Sequence, residues 1–433
     1  MAVNKSRREF LKTAAASGAV LLIGMKGDHV VAAGKSDAQI NPFIRIGADG
    51  RVTAIIKHFE KGQGTVTGLS TLIADEIGVS MEQMDYEFAP SNPELYANLA
   101  FGPFQGTGGS TAMANSFIQY RTAGAAAREM LIAAAAQARG VSPESLDVVD
   151  GMVVGSGQPS TIGDYVAAAA DLEAPAEPRL KSPEEWRLIG NPDVRRLDSR
   201  IKGDGSAVFG MDLNLPNQMI VMLARPPRMG GLVTSFDDTD AKEIKGYIRA
   251  AVLPNNAAVA VYAENTWAAM QARDALRVEW ELSAAESRDS DEIKSEIIAA
   301  LEADEEYNVL KTDPAPMDKA AKTIEQTFYF PLLAHAPMEP LNCTIEANED
   351  GGITLPDGSQ IPTGPHMALA QIFELPMEKV RINTVLTGGS FGRRATPSAD
   401  YPVEAALAFA ITDRSRPVKL VWSREDDIKG GYY

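Results

Sequence analysis

Two stretches of this chain repeat one another. Residues 61–89 read KGQGTVTGLSTLIADEIGVSMEQMDYEFA, and residues 357–385 read DGSQIPTGPHMALAQIFELPMEKVRINTV. Each gives a glycine, a glutamine (Gln63 and Gln360), a Thr-Gly pair, a helix-patterned run, a Met-Glu pair and a strand-patterned run. In the first copy Leu69, Leu72, Ile73 and Ile77 fall at helical spacing. Each copy then leads to a Gly-Gly-Ser loop, within 107–111 and 387–392, and to an alanine-rich helical run. A segment used twice is one supersecondary unit, and two such units separated by different sequence are expected to pack together.

At 433 residues the chain exceeds one ordinary core. The expected class is α+β, with two similar half-units flanking a third domain. Residues 34–170 form the first unit, and 171–195, rich in proline and charge, form a linker. Residues 196–285 mix strand and helix patterns and read as a small α+β domain. Residues 286–433 hold the second unit, which begins with an acidic helical stretch, SRDSDEIKSEIIAALEADEEY, read as a solvated face.

Before the first unit, Arg7 and Arg8 precede a short apolar run from Ala14 to Met25. That run is too short to span a bilayer. Residues 1–33 therefore read as a twin-arginine export signal with cleavage after Ala33, which places the protein in the periplasm.

A net charge of −17 argues against a nucleic-acid partner. An acidic chain that binds an anion must concentrate its cations locally, and Arg393 and Arg394 stand together in the second glycine loop. A single cysteine, Cys343, excludes an internal disulfide and an iron–sulfur cluster held by this chain alone. Any one-electron chemistry must then leave through a partner.

Backbone amides of glycine-rich turns converge on anions, and a following helix adds its positive end. Gly108, Gly109, Ser110 and Thr111 in the first loop fit that pattern, as do Gly388, Gly389 and Gly392 in the second. Arg393 adds charge and Phe391 an apolar wall; the alternative for either loop is a tight connection. No G-x-G-x-x-G turn joins an early strand to a helix, so an ordinary dinucleotide site is not expected. His29, His58, His335 and His366 show no metal-ligand spacing, so no direct protein–metal bond is expected. Glu339, set among proline and apolar residues, reads either as a general base or as a structural carboxylate.

The ordered set KGQGTVTG, GTGGST, RLDSRIKGDGSAVFGMDLNLPNQM, LLAHAPMEPLNCTIEANEDG, GSQIPTG, TGGSFGRR and PVKLVWSREDDI resembles the molybdopterin-binding large subunit of the xanthine dehydrogenase and aldehyde oxidase family. The isoquinoline 1-oxidoreductase beta-subunit branch is the most similar in pattern.

The resemblance implies molybdenum held only by a pterin cofactor, the cytosine dinucleotide form. It implies cofactor contacts at Gln63 with Gly62 and Gly64, at Gly108 to Thr111, at Gln360, and at Phe391 with Gly392. It makes 196–285 an α/β hammerhead domain. The implied reaction is hydroxylation of an aldehyde or an N-heteroaromatic ring with oxygen from water, electrons passing to a small [2Fe–2S] subunit or a cytochrome c.

Where the purine-oxidising branch carries glycine, lysine and glutamate, this chain has Arg393, Arg394 and Ala395, which argues against purine recognition. The family's glutamate base falls after Tyr433, so the expectation is a truncated second unit or completion by another polypeptide. A non-catalytic binding or assembly protein of the same fold is the alternative, and an exported solute-binding protein a third.

Overall fold

The computed structural model describes residues 20–26, 29–33, 42–303 and 320–430. The first unit runs β1 (Val20–Lys26), β2 (His29–Ala33), β3 (Pro42–Gly47), β4 (Val52–Ile56), helix α1 (Thr65–Ile77), β5 (Met84–Phe88) and helix α2 (Thr111–Arg139). Its sheet is ordered β2-β1-β3-β4-β5, antiparallel except for the parallel pair β4–β5. Parallel neighbours need a crossover, and α1 supplies it. Every residue of β4 is buried, as suits a strand covered on both faces. A Cβ on Gly124 of α2 would lie 2.9 Å from Glu76 Cβ and 3.1 Å from Ile73 O, so glycine there lets α1 and α2 approach closely. A small sheet of β6 (Leu146–Val149), β7 (Met152–Gly155) and β8 (Ser160–Thr161) follows.

The expected linker has little regular structure but is strapped down. Buried Asp75 accepts the amides of Arg187, Leu188 and Ile189. Glu76, also buried, accepts Lys181 N at 3.1 Å and pairs with Arg121 and Arg128.

The middle segment holds β9 (Met219–Ala224), β10 (Leu232–Asp237), β11 (Tyr247–Val252), β12 (Val259–Ala263), helix α3 (Thr266–Asp274), β13 (Arg277–Glu281) and helix α4 (Ser290–Glu302). The second unit adds β14 (Asn342–Ala347), β15 (Ile353–Asp357), helix α5 (Thr363–Ile372), β16 (Val380–Thr384), helix α6 (Asp400–Ala410) and β17 (Val418–Val421). One seven-stranded sheet, β11-β12-β9-β17-β14-β15-β16, takes strands from both segments. The small α+β domain expected over 196–285 thus shares its larger sheet with the second unit. β9 pairs in parallel with β17 about two hundred residues later, Val418 opposite Met219, and only β10–β13 stand apart. Sequence periodicity reports a strand's faces, not its neighbours.

The two copies share a topology. β15, α5 and β16 repeat β4, α1 and β5, with Ile353 opposite Val380 in a parallel pair as Val52 is opposite Met84. The units meet at the carboxyl ends of these strands. Ser91 N donates to Ile382 O at 3.1 Å, and His366 Nδ1 lies 3.0 Å from Ser91 Oγ. Part of the run assigned to an export signal lies outside the described residues. Its remainder forms β1, where Leu21 and Ile23 are fully buried, because a branched apolar run suits a core strand equally well.

Candidate functional site

Four loops leave the carboxyl ends of β4, β5, β15 and β16 and converge, the position where open α/β sheets hold ligands. Gln360 sits at their centre, 3% exposed. Its Nε2 donates to Thr107 O at 2.8 Å, while its Oε1 accepts Gly392 N at 3.1 Å and the Ser390 hydroxyl. Its backbone joins the same loops: Thr107 N donates to Gln360 O at 2.8 Å, and Gln360 N to Arg394 O at 2.9 Å. One side chain thus clasps the first unit's Gly-Gly-Ser loop to that of the second. An amide NH₂ has two hydrogens, and Gln360 uses one of them among the described groups.

The loop around Gln63 behaves differently. Fully buried Glu60 turns back into it, its Oε1 accepting Gly62 N at 2.8 Å and Gly64 N at 3.1 Å, its Oε2 accepting Val66 N at 3.2 Å. Arg196 Nη2 at 3.2 Å and Lys202 Nζ at 3.5 Å neutralise it. The amides of Gly62 and Gly64, which the resemblance implies as cofactor contacts, are therefore taken by the chain's own carboxylate. Gln63 is exposed and closes its own loop, donating to Phe59 O and Thr65 Oγ1 and accepting Lys61 N. The loop still reaches the second unit, because Thr387 N donates to Glu60 O at 3.3 Å.

Open amides remain elsewhere. Among the described residues, no hydrogen bond engages the N–H groups of Gly108, Gly109 and Ser110, which lie at the start of the 29-residue α2, whose N-cap Ser110 makes no side-chain cap. The same holds for Gly389 and Phe391. Thr111 secures the loop, its hydroxyl donating to Gly108 O at 2.7 Å. His58 anchors it from below: Nδ1 is 3.1 Å from Gly106 O and Nε2 2.9 Å from Ser116 Oγ. Burial, reinforced by neighbouring Lys57, pushes the imidazole down to about 3, so it is neutral at physiological pH.

In the second loop Gly389 (φ 100°), Phe391 (φ 58°) and Gly392 (φ 111°) are left-handed. Phe391, a non-glycine residue held there and 70% exposed, presents its ring outward. Arg393 and Arg394 do not face a ligand as expected. Arg393, 1% exposed, pairs with Asp400 at 2.8 Å and stacks on Trp422. Arg394, 2% exposed, donates to Gly389 O and Glu339 O.

Glu339 is likewise committed. Oε1 accepts Met211 N at 2.9 Å and Asn342 Nδ2 at 3.0 Å, and Oε2 accepts Gly388 N at 2.6 Å. The structural reading of this carboxylate fits the geometry better than that of a general base, and Gly388 spends its amide on Glu339.

Sequence reasoning missed Glu60, His58, Thr107 and Ser390. A usable signal existed for the first: a carboxylate stands three residues before each glutamine, Glu60 before Gln63 and Asp357 before Gln360. Asp357 is fully buried, accepts Tyr401 OH at 2.8 Å and Ser359 N at 3.1 Å, and burial pushes it up to about 6.

Residues 3–206 and residues 301–431 match two families, each described as a molybdopterin cofactor-binding domain. The chain belongs to the xanthine dehydrogenase family of molybdopterin-binding large subunits. Among relatives of this family, a protein of Gluconacetobacter polyoxogenes named membrane-bound aldehyde dehydrogenase (pyrroloquinoline-quinone) is 30% identical over 98% of this chain and 56% of its own length. Isoquinoline 1-oxidoreductase subunit beta of Brevundimonas diminuta is 30% identical over 99% of this chain and 60% of its own. The chain thus spans less than two thirds of these family members. Quinoline 2-oxidoreductase from Pseudomonas putida 86 superimposes with a TM-score of 0.41 at 18% identity, covering 54% of this chain and 34% of that one.

The residues present fit such a cofactor. Open amides at a helix start suit its phosphates, and left-handed glycines allow a close backbone approach.

Proposed function

We propose that this chain is the cofactor-binding part of a molybdenum hydroxylase large subunit that oxidises an aldehyde or an N-heteroaromatic ring with oxygen from water. The clasp at Gln360 between two loops with open amides carries this reading. Gly108, Gly109 and Ser110 would hold the anionic end of a molybdopterin cytosine dinucleotide, while Gly389, Phe391 and the free Gln360 amide hydrogen would face its pterin end. When bound, that cofactor supplies the two-electron redox couple. The chain's residues bind and orient it, and Phe391 walls the space beside it.

A sequence with one cysteine holds no iron–sulfur cluster by itself, and a small [2Fe–2S] subunit or a cytochrome c would take the electrons. The middle segment, whose β10–β13 ribbon stands apart from the shared sheet, would be the α/β hammerhead of this class.

Acid extraction of the purified assembly tests the reading: molybdenum and a cytosine nucleotide are expected, and absence of both sinks it. The twin-arginine pair supports export to the periplasm. Cleavage after Ala33 would remove β1 and β2 from the first unit's sheet, so terminal sequencing of the exported protein decides the point: a start at Gly34 supports the cleavage, and retention of Val20–Lys26 contradicts it.

A further inference from the structure

Two neighbouring elements present apolar faces that nothing among the described residues covers. Helix α4 has no buried residue, and Ile297 and Leu301, four residues apart on one face, are 54% and 79% exposed. Its N-terminus is well built: Asp289 accepts Asp291 N and Glu292 N, and Glu292 answers Asp289 N. A cap does not replace a packed face, however, since a 13-residue helix in water is marginal without tertiary contact.

Residues 320–336 form no helix or strand, and no hydrogen bond to another described residue engages their backbone. Their apolar side chains stand in the open on both faces of the extended run: Ile324 77%, Phe328 73%, Phe330 83% and Leu332 64% exposed on one, Tyr329 53% and Leu333 71% on the other. The two elements touch where Lys294 Nζ lies 4.7 Å above the Tyr329 ring. The segment then runs into the clasp, for a Cβ on Gly389 would meet Pro337 Cβ at 3.4 Å, and Glu339 N donates to Gly388 O.

We propose that the α4 face and the 322–334 edge dock the remainder of the large subunit, the part that relatives carry without a counterpart here, with one strand adding along 322–334. The relatives supply the occupant. They match this chain over 98% and 99% of its length but are themselves only 56% and 60% covered, so each holds a further body of sequence that must pack somewhere. An unpaired extended run with exposed apolar side chains is a template for strand addition, Pro331 alone offering no donor, and an amphipathic helix beside it widens the buried area. Docking there places the missing part directly behind the Gly389 turn. This inference rests on membership of the family and not on the identity of the cofactor.

The test uses the whole chain co-expressed with the portion of the Brevundimonas diminuta subunit that has no counterpart here. The expected result is an equimolar complex in which amide exchange over 290–302 and 322–334 slows by about tenfold or more. The double variant Ile297→Asp, Phe330→Asp, both positions solvent-facing, should abolish co-purification while leaving the unfolding transition of the chain alone unchanged. The proposal is overturned if no complex forms, if the complex leaves both segments exchanging freely, if the variant co-purifies as well as the parent, or if the chain alone protects them by self-association. A complex that forms in this way but lacks molybdenum leaves the docking intact and sinks the proposed function instead.

Discussion

Gln63 and Gln360 stand three residues after a carboxylate, between a parallel strand and a helix, yet they do opposite work. The loop of Gln63 is closed from within: Glu60 fills its amides, Arg196 and Lys202 balance the charge, and the glutamine bonds only its own loop. The loop of Gln360 is closed from without. Its carboxylate, Asp357, turns to Tyr401 in the core, and the glutamine reaches across to Thr107 in the other unit and to Ser390 and Gly392 in the next loop. The same strand–helix–strand topology occurs twice. What separates the copies is where the carboxylate goes: Glu60 takes three amides of its own loop, whereas Asp357 takes Ser359 N and otherwise turns to Tyr401, and that loop keeps its glutamine for another partner.

Glu60→Ala should have the largest effect. It strands three buried or part-buried amides and leaves two cations facing Asp198 alone, at a cost of about 3 kcal/mol in denaturant unfolding. A loss below about 1 kcal/mol would mean that the first loop holds its shape without its anion.

Gln360→Ala should follow, at about 2 kcal/mol, because Thr107 O and Gly392 N lose a buried partner. The same change at exposed Gln63 should cost about 0.5 kcal/mol. Equal losses at the two positions would erase the distinction between clasp and self-closed turn.

Asp357 sharpens the contrast through pH. Its pKa is raised by burial to about 6, against about 4 in an unfolded chain, so the folded form binds the extra proton over that interval. Stability from this group is complete below about pH 4 and falls as pH rises towards 6, by about 3 kcal/mol in all. Asp357→Asn should flatten that slope in melts taken from low to neutral pH. An unchanged slope would place the titrating group elsewhere.

The repeat, the helices over 65–77 and 111–139, and the two glycine loops were legible in the sequence, because hydrophobic spacing and glycine placement are local signals. The directions of Arg393 and Arg394 were not. An arginine beside a glycine turn looks the same whether it faces a ligand or, as here, Asp400 and the carbonyl of Glu339. The shared sheet was hidden for a related reason, since β9 and β17 pair across about two hundred residues and neither strand's pattern names its neighbour. The exposure of the apolar side chains over 320–336 is likewise visible only in the structure, since the sequence shows their type and not their surroundings.

The claim that Gln360 closes the cofactor's seat, and Gln63 does not, is tested most directly by molybdenum per large subunit. Gln360→Ala and Gln63→Ala are compared with the parent, each purified as the assembly from its own host. Most of the metal should be lost in the first variant and nearly all kept in the second. A Gln360→Ala protein with its full complement of molybdenum, or equal losses in both, would contradict the account.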